Sequence, residues 1–367
     1  MPLRTPVRPQ GGRWCIGLLC LFMSLFAGSC AVQPRFTPST LLHTWQTDGM
    51  VRSIRFHPAG QLLASVETTA RYPTPEYYVV RLRRIPTGEI VRTLGGQTAA
   101  IYSLAFSHNG DFIAIGDSAA KVKVWRIADG AALATFTGHT AAVQQVLFAP
   151  DDSTIFSVSE DYTIRSWSIA SGMQQSSTEW SAFYNCGIAQ VGFADNAPRF
   201  VIREGTNVLV QSLPDARFIR SMYGSEGSDC LNAERLDLRL SDNARLLAVL
   251  EREQGRKESI RIWDLAHGSS LAVLSGHTDS IAAITFSPDN QIIASASGAP
   301  YNFLYNDGDR SVRVWRVTDG RAMAVFDPAH DSTIYGLAFS PDSSVLASGS
   351  LDGRICFWQV QLPPVQR

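Results

Sequence analysis

Seven segments of this 367-residue chain repeat one pattern. They are VRSIRFHPAGQLLAS from residue 51, IYSLAFSHNGDFIAI from 101, VQQVLFAPDDSTIFS from 143 and IAQVGFADNAPRFVI from 188. The series continues with LDLRLSDNARLLAVL from 236, IAAITFSPDNQIIAS from 281 and IYGLAFSPDSSVLAS from 334. Each alternates apolar and polar residues, breaks at a Pro, Asp, Asn or Gly turn, and resumes as an apolar strand, which is the pattern of a hairpin. Landmark residues Phe56, Phe106, Phe148, Phe193, Leu240, Phe286 and Phe339 recur every 42 to 53 residues. A third alternating strand follows, as in KVKVW, TIRSW, SIRIW, SVRVW and RICFW, and then a fourth, as in AALATF. Four short antiparallel strands in a unit of this length predict one blade of a β-propeller. The fold class is therefore all-β, with seven blades.

The residues themselves resemble the WD-repeat family over positions 40–360. GHTDSIAAITFSPDN and LASGSLDGRICFW match its Gly-His opening and its tryptophan late in the third strand, although Trp263-Asp264 is the one literal Trp-Asp pair. The resemblance implies a hydrogen-bonded tetrad in each regular blade: His before the first strand, Ser in the second, Asp in the next turn, Trp in the third. Blade 3 supplies His139, Ser157, Asp161 and Trp167. Blade 6 supplies His277, Ser295, Asp309 and Trp315, and blade 7 supplies His330, Ser348, Asp352 and Trp358. His, Ser and Asp are also the side chains of a hydrolytic triad. A triad is needed once, whereas three equivalent copies argue for a brace. In blades 1, 2, 4 and 5 the set is broken, with Arg83 and Gln211 in place of tryptophan and Gln97 in place of histidine. Those blades are expected to rest on apolar packing alone and to be the softer part of the ring. Blade 7 lacks its own fourth strand, and LLHTW at 41–45 is expected to fill the place and remove an open edge.

Charge narrows the partners. Thirty-two basic and 33 acidic residues give a net charge of -1, and the arginines are scattered, so no basic face exists for nucleic acid. Residues 1–29 read as a secretory signal: a leader with three arginines, an apolar run from Trp14 to Ala27, then small residues. LFAGSC resembles a bacterial lipobox, which implies lipid attachment at Cys30, with 30–39 as an anchor linker. Ala31 then implies an outer membrane facing the periplasm if the source is Gram-negative. Beyond the propeller, 361–367 forms a short tail. An exported chain meets oxidising conditions, so Cys186 and Cys230 either form a disulfide or stay as two thiols, and Cys356 reads as a buried free thiol. No cysteine or histidine spacing suggests a metal, and no cofactor motif is present.

A propeller's binding chemistry lies on loops that depart from the repeat. Three departures fall between second and third strands: ETTARYPTPEYY at 67–78, EREQGRKES at 251–259 and SGAPYNFLYNDGD at 297–309. The first and last bracket blade 7 and bring Tyr72, Tyr77, Tyr78, Tyr301, Phe303 and Tyr305 toward one sector. Such aromatics suit a protein or peptide partner, and they also suit a glycan by stacking. The expected function is a non-catalytic docking platform held at a membrane by its lipid anchor. The alternative is an enzyme or glycan-binding lectin using the axial pocket, which requires acids, histidines or a metal cluster near the axis.

Overall fold

The computed structural model describes residues 40–68, 77–97, 99–180, 188–204, 207–223, 238–252, 258–298, 308–327 and 329–360. The signal, the linker with Cys30, the tail, and Cys186 and Cys230 lie outside the described residues. Every regular element described is a strand. The strands form seven four-stranded antiparallel sheets, six of them in simple sequence order from inner to outer strand. Blades 1 to 6 occupy 50–97, 101–137, 143–179, 188–223, 238–274 and 281–326. Blade 7 takes Ile334–Phe339, Val345–Ser350 and Arg354–Gln359, and its outer strand is Leu41–Gln46 from the other end of the chain. In this register Thr44 lies opposite Cys356 and Trp45 opposite Ile355. The sequence is thus a closed seven-bladed β-propeller.

The period-2 pattern explains the packing. One side of each strand faces the preceding blade and the other faces the following one, so second and third strands are apolar on both sides and deeply buried. Trp45 shows how closure is cemented. It sits in one cluster with Val51, Ile54 and Leu63 of blade 1 and with Ala347, Ile355 and Phe357 of blade 7. Its indole N–H also donates to the Pro86 carbonyl of blade 1 at 3.1 Å. Two glycines keep this boundary tight: a Cβ on Gly349 would lie 2.6 Å from Val51 Cγ1, and one on Gly336 3.0 Å from Ile54 Cγ1.

Elsewhere the blades are laced near the axis. The Ser340 N–H donates to the Val345 carbonyl, so antiparallel alternation turns the amide of Leu337 away from its own sheet, toward the axis. The same position in other blades is Val146, Val191 and Leu238; a side chain from the preceding blade takes the N–H of the first two, and in blade 5 the Leu238 carbonyl and the Leu240 N–H. Val146 N–H donates to Ser103 Oγ at 3.0 Å. Gln145 accepts from Val191 N–H at 2.7 Å and donates to its carbonyl at 3.0 Å. Gln190 donates to the Leu238 carbonyl at 2.8 Å and accepts from Leu240 N–H at 2.9 Å. Blades 2 to 5 are thereby joined by buried or half-buried amide clasps. The expectation that irregular blades depend on apolar packing alone fails here first.

A meander of this kind puts its turns alternately on two faces. Second-to-third turns and the connections between blades share an upper face, and the other turns form a lower face.

Candidate functional site

The three sequence-matched sets are joined by hydrogen bonds. In blade 3, Trp167 Nε1–H donates to Ser157 Oγ at 2.8 Å, His139 Nε2 lies 2.7 Å from the same oxygen, and His139 Nδ1 lies 2.8 Å from Asp161. Blade 6 repeats the geometry with Trp315, Ser295, His277 and Asp309 at 2.8, 2.8 and 2.9 Å. Blade 7 does so with Trp358, Ser348, His330 and Asp352 at 2.9, 2.8 and 3.1 Å. The carboxylate also accepts backbone N–H groups on both sides, Thr140 and Thr163 in blade 3, tying the upper turn to the connection before the blade. All three serines are fully buried and already accept an indole N–H. A substrate carbonyl has no route to such an oxygen, so the arrangement braces turns.

Blades 1, 2 and 5 carry a different strut, built on the same register. Arg83 lies opposite Leu63 as Trp167 lies opposite Ile155, and it donates to Ser65 Oγ at 2.7 Å where the indole would. It also bonds to Glu67, fully buried two residues after Ser65. Arg81 holds the other Glu67 oxygen at 2.7 Å. Asp117 pairs with Lys123 at 3.2 Å in blade 2, and Glu251 with Arg261 at 2.7 Å in blade 5. The rule is an acid late in the second strand and a base on the third, replacing the histidine-centred set. Blade 5 keeps its tryptophan, but Val249 stands where the serine would be. The Trp263 indole N–H accordingly has no hydrogen-bond partner among the described residues.

The same tetrad behaves differently in blades 3 and 7. Burial lowers the His139 pKa from 6.5, with the Arg165 charge adding to it and Asp161 opposing. In blade 7 burial again pulls down, but Asp352 and Cys356 outweigh it and raise His330 to about 9. Cys356 occupies the position where blade 3 has Arg165. Asp161 is held at about 2, because hydrogen bonds from Thr163, Thr140 and His139 outweigh the burial that opposes its charge. His330 lies above its unfolded value, so its stabilisation is complete below about pH 6.5 and fades as pH rises through about 9. His139 is displaced the other way, so its contribution is complete above about pH 6.5 and declines in acid. An NMR titration of the ring protons is expected to show His330 charging well above His139. Cys356→Arg is expected to move His330 toward His139, and identical titration of the two rings in the wild type would contradict this account.

Three of the four exposed large aromatics among the described residues lie on the upper face, and the fourth, Phe218, begins the outer strand of blade 4 at the lower turn. Tyr77 is 44% exposed, Tyr102 50% and Tyr162 42%, with Met50 at 36%. Tyr102 is the second residue of the inner strand of blade 2, Ile101–Phe106, beside the axis. The equivalent residues of blades 1 and 7, Arg52 and Tyr335, lie with the guanidinium carbon 6.0 Å from the ring centre. Tyr162 follows Asp161 in the turn, at φ 60°, where blade 7 has Gly353 at φ 78°. A left-handed backbone costs a side chain about 1–2 kcal/mol. Tyr162 holds it while resting edge-on against Trp180 at 5.2 Å. The sequence reading requires correction here: Tyr78, assigned to the exposed patch, is 8% exposed and packs in the core with Val80 and Leu94. Tyr72, Tyr301, Phe303 and Tyr305 lie outside the described residues. Tyr102 and Tyr162 were hidden because strand and turn patterns do not distinguish an upper rim from an interior.

On the lower face, Phe156 and Phe193 meet edge to face at 5.5 Å beside an open groove of about 480 Å³ between blades 3 and 4. No three His, Cys, Asp or Glu side chains among the described residues converge as metal ligands.

Comparison with known proteins places these features in a family context. Residues 88–126, 130–168, 268–316 and 320–359 match the WD domain, G-beta repeat. The human WD repeat and SOCS box-containing protein 1 is 32% identical over 133 residues, covering 36% of this chain and 28% of that protein. A Periodic tryptophan protein 2 homolog of Neurospora crassa is 31% identical over 101 residues, covering 28% of this chain and 10% of that protein. The chain thus matches under a third of the length of these curated relatives.

Proposed function

Because the chain carries WD40 repeats in a closed seven-bladed ring, and its relatives by sequence are WD-repeat proteins, we propose that it is a scaffold docking a protein or peptide on its upper face. The observation that carries this reading is the run of exposed Tyr77, Tyr102 and Tyr162 across blades 1 to 3, together with Met50. Large, stiff, amphipathic side chains bind at low entropic cost and form the energetic centre of many interfaces. The strained turn at Tyr162 adds weight, since a conformation better suited to glycine holds an exposed aromatic. We read residues 1–29 as an export signal and Cys30 as lipid-bearing, which would keep the docking face close to a membrane.

Crosslinking and capture with the anchored protein tests both parts. Tyr162→Gly is expected to keep or slightly raise thermal stability while reducing partner recovery, and Tyr102→Ala is expected to deepen the loss. Met173→Ala, on the exposed lower side, is the control. Full recovery of every partner by the Tyr77→Ala/Tyr102→Ala/Tyr162→Gly variant would end the upper-face proposal. In parallel, Cys30→Ala is expected to move the protein from the membrane to the soluble fraction, and unchanged fractionation would remove the anchor.

A further inference from the structure

The inner strands place two arginines at one level of the ring. Arg55 lies opposite Ala64 in blade 1 and Arg239 opposite Ala248 in blade 5, each one residue before the landmark position. The other five residues at this level are Ala105, Leu147, Gly192, Thr285 and Ala338, none of them charged. Blades 1 and 5 are separated by blades 6 and 7 on one side and by blades 2, 3 and 4 on the other, so these side chains can approach only across the axial channel. Burial is the main cause lowering the Arg55 pKa to about 9, the Arg239 charge lowers it further, and Asp242 opposes. Arg239 is likewise lowered by burial, opposed by Asp242.

Like charges facing one another inside a ring need compensation. Among the described residues the structure supplies little. Arg55 Nη1–H makes one long contact, 3.5 Å, to the axis-facing carbonyl of Leu337. Asp242, in the lower turn of blade 5, is exposed. Both arginines are half-buried, as expected of side chains surrounded by protein yet touched by channel water. Guanidinium groups are planar forks matched to oxyanions, which they bind through paired N–H donors. In blades 3 to 5, axis-facing amides are already occupied by Ser103, Gln145 and Gln190, whereas Ala283 and Gly336 provide no such cover on the side that Arg55 reaches.

We propose that the axial channel binds a phosphate-class oxyanion between Arg55 and Arg239. This site is separate from the upper-face docking surface and does not depend on it. The ligand neutralises the two facing cations and bridges blades 1 and 5 across the ring.

The test is thermal unfolding of the intact protein in inorganic phosphate against chloride at matched ionic strength, with calorimetric titration of phosphate. The expected result is a saturable rise in Tm with one phosphate bound per chain. Arg55→Met and Arg239→Met are each expected to abolish that rise. Without phosphate, each is also expected to melt higher than the wild type, because one of two facing charges is gone. Absence of both calorimetric binding and a Tm gain in the wild type overturns the proposal, whether or not the variants fold. A phosphate-dependent gain retained in both folded variants also overturns it, since the anion would then sit elsewhere.

Discussion

Glu67→Val in blade 1 is expected to lower the unfolding free energy by about 3–5 kcal/mol, the usual consequence of stranding a buried charge. Removing this fully buried carboxylate leaves the Arg83 guanidinium with Ser65 Oγ as its remaining described partner. Arg83→Leu is expected to cost less, because Arg81 still holds Glu67 at 2.7 Å. That asymmetry is the discriminating feature of the prediction. Ser65 already stands where the regular blades keep their serine, so Glu67→Ser/Arg83→Trp is expected to recover most of the loss by restoring an indole-to-hydroxyl bond. Chemical denaturation monitored by circular dichroism gives all three values. A Glu67→Val cost no greater than that of Arg83→Leu would show that the ion pair is not the strut described here.

Trp45→Ala is expected to cost a similar amount, about 3–5 kcal/mol for a large aromatic removed from a packed site. The effect has a definite location. Trp45 belongs to the closing strand, yet its ring packs on blade 1 as well as blade 7, edge-on to Phe357 at 4.5 Å. Its loss therefore weakens the ring at the one boundary that joins distant parts of the chain. Hydrogen exchange is expected to rise in Leu41–Gln46 and Arg354–Gln359 and in the inner strand Met50–Phe56, with blades 3 and 4 unchanged. Trp45→Phe keeps the stacking and loses the bond to Pro86, so it is expected to cost roughly 1 kcal/mol. Uniform loss of protection around the ring would mean that closure is not local.

The propeller is legible in the sequence because its signal repeats seven times, and the closing strand because one blade lacks a fourth strand. The tetrads are legible because their offsets recur: Trp lies six after Asp in all three, and Asp lies four after Ser in blades 3 and 7, whereas the insert of blade 6 lengthens that step between Ser295 and Asp309. The ionic struts escape that reading for the same reason. Glu67, Asp117 and Glu251 sit two residues after the serine position, and Arg81, Lys123 and Arg261 sit two before the tryptophan position, with Arg83 on that position itself, so comparison by residue identity scores them as losses. Comparison by charge at fixed offset finds them. Tyr78 was misplaced by treating the whole stretch 67–78 as a loop. The alternation in YVVRLRR already begins at that tyrosine, and it directs the ring inward. Arg55 and Arg239 are plain in the sequence, but nothing linear shows that positions 184 residues apart share one level of the ring's inner strands.

The amide clasps have a consequence for how damage spreads. Ser103, Gln145 and Gln190 each satisfy backbone groups in the following blade and none in their own. A substitution such as Gln145→Ala therefore leaves its own sheet intact and uncaps Val191, one unit further around the circle. At these three positions the lesion is displaced from the residue that causes it, in the direction of chain progress. A map of mutational sensitivity would then be offset by one repeat from a map of local unfolding, like a gear that slips at the tooth after the broken one.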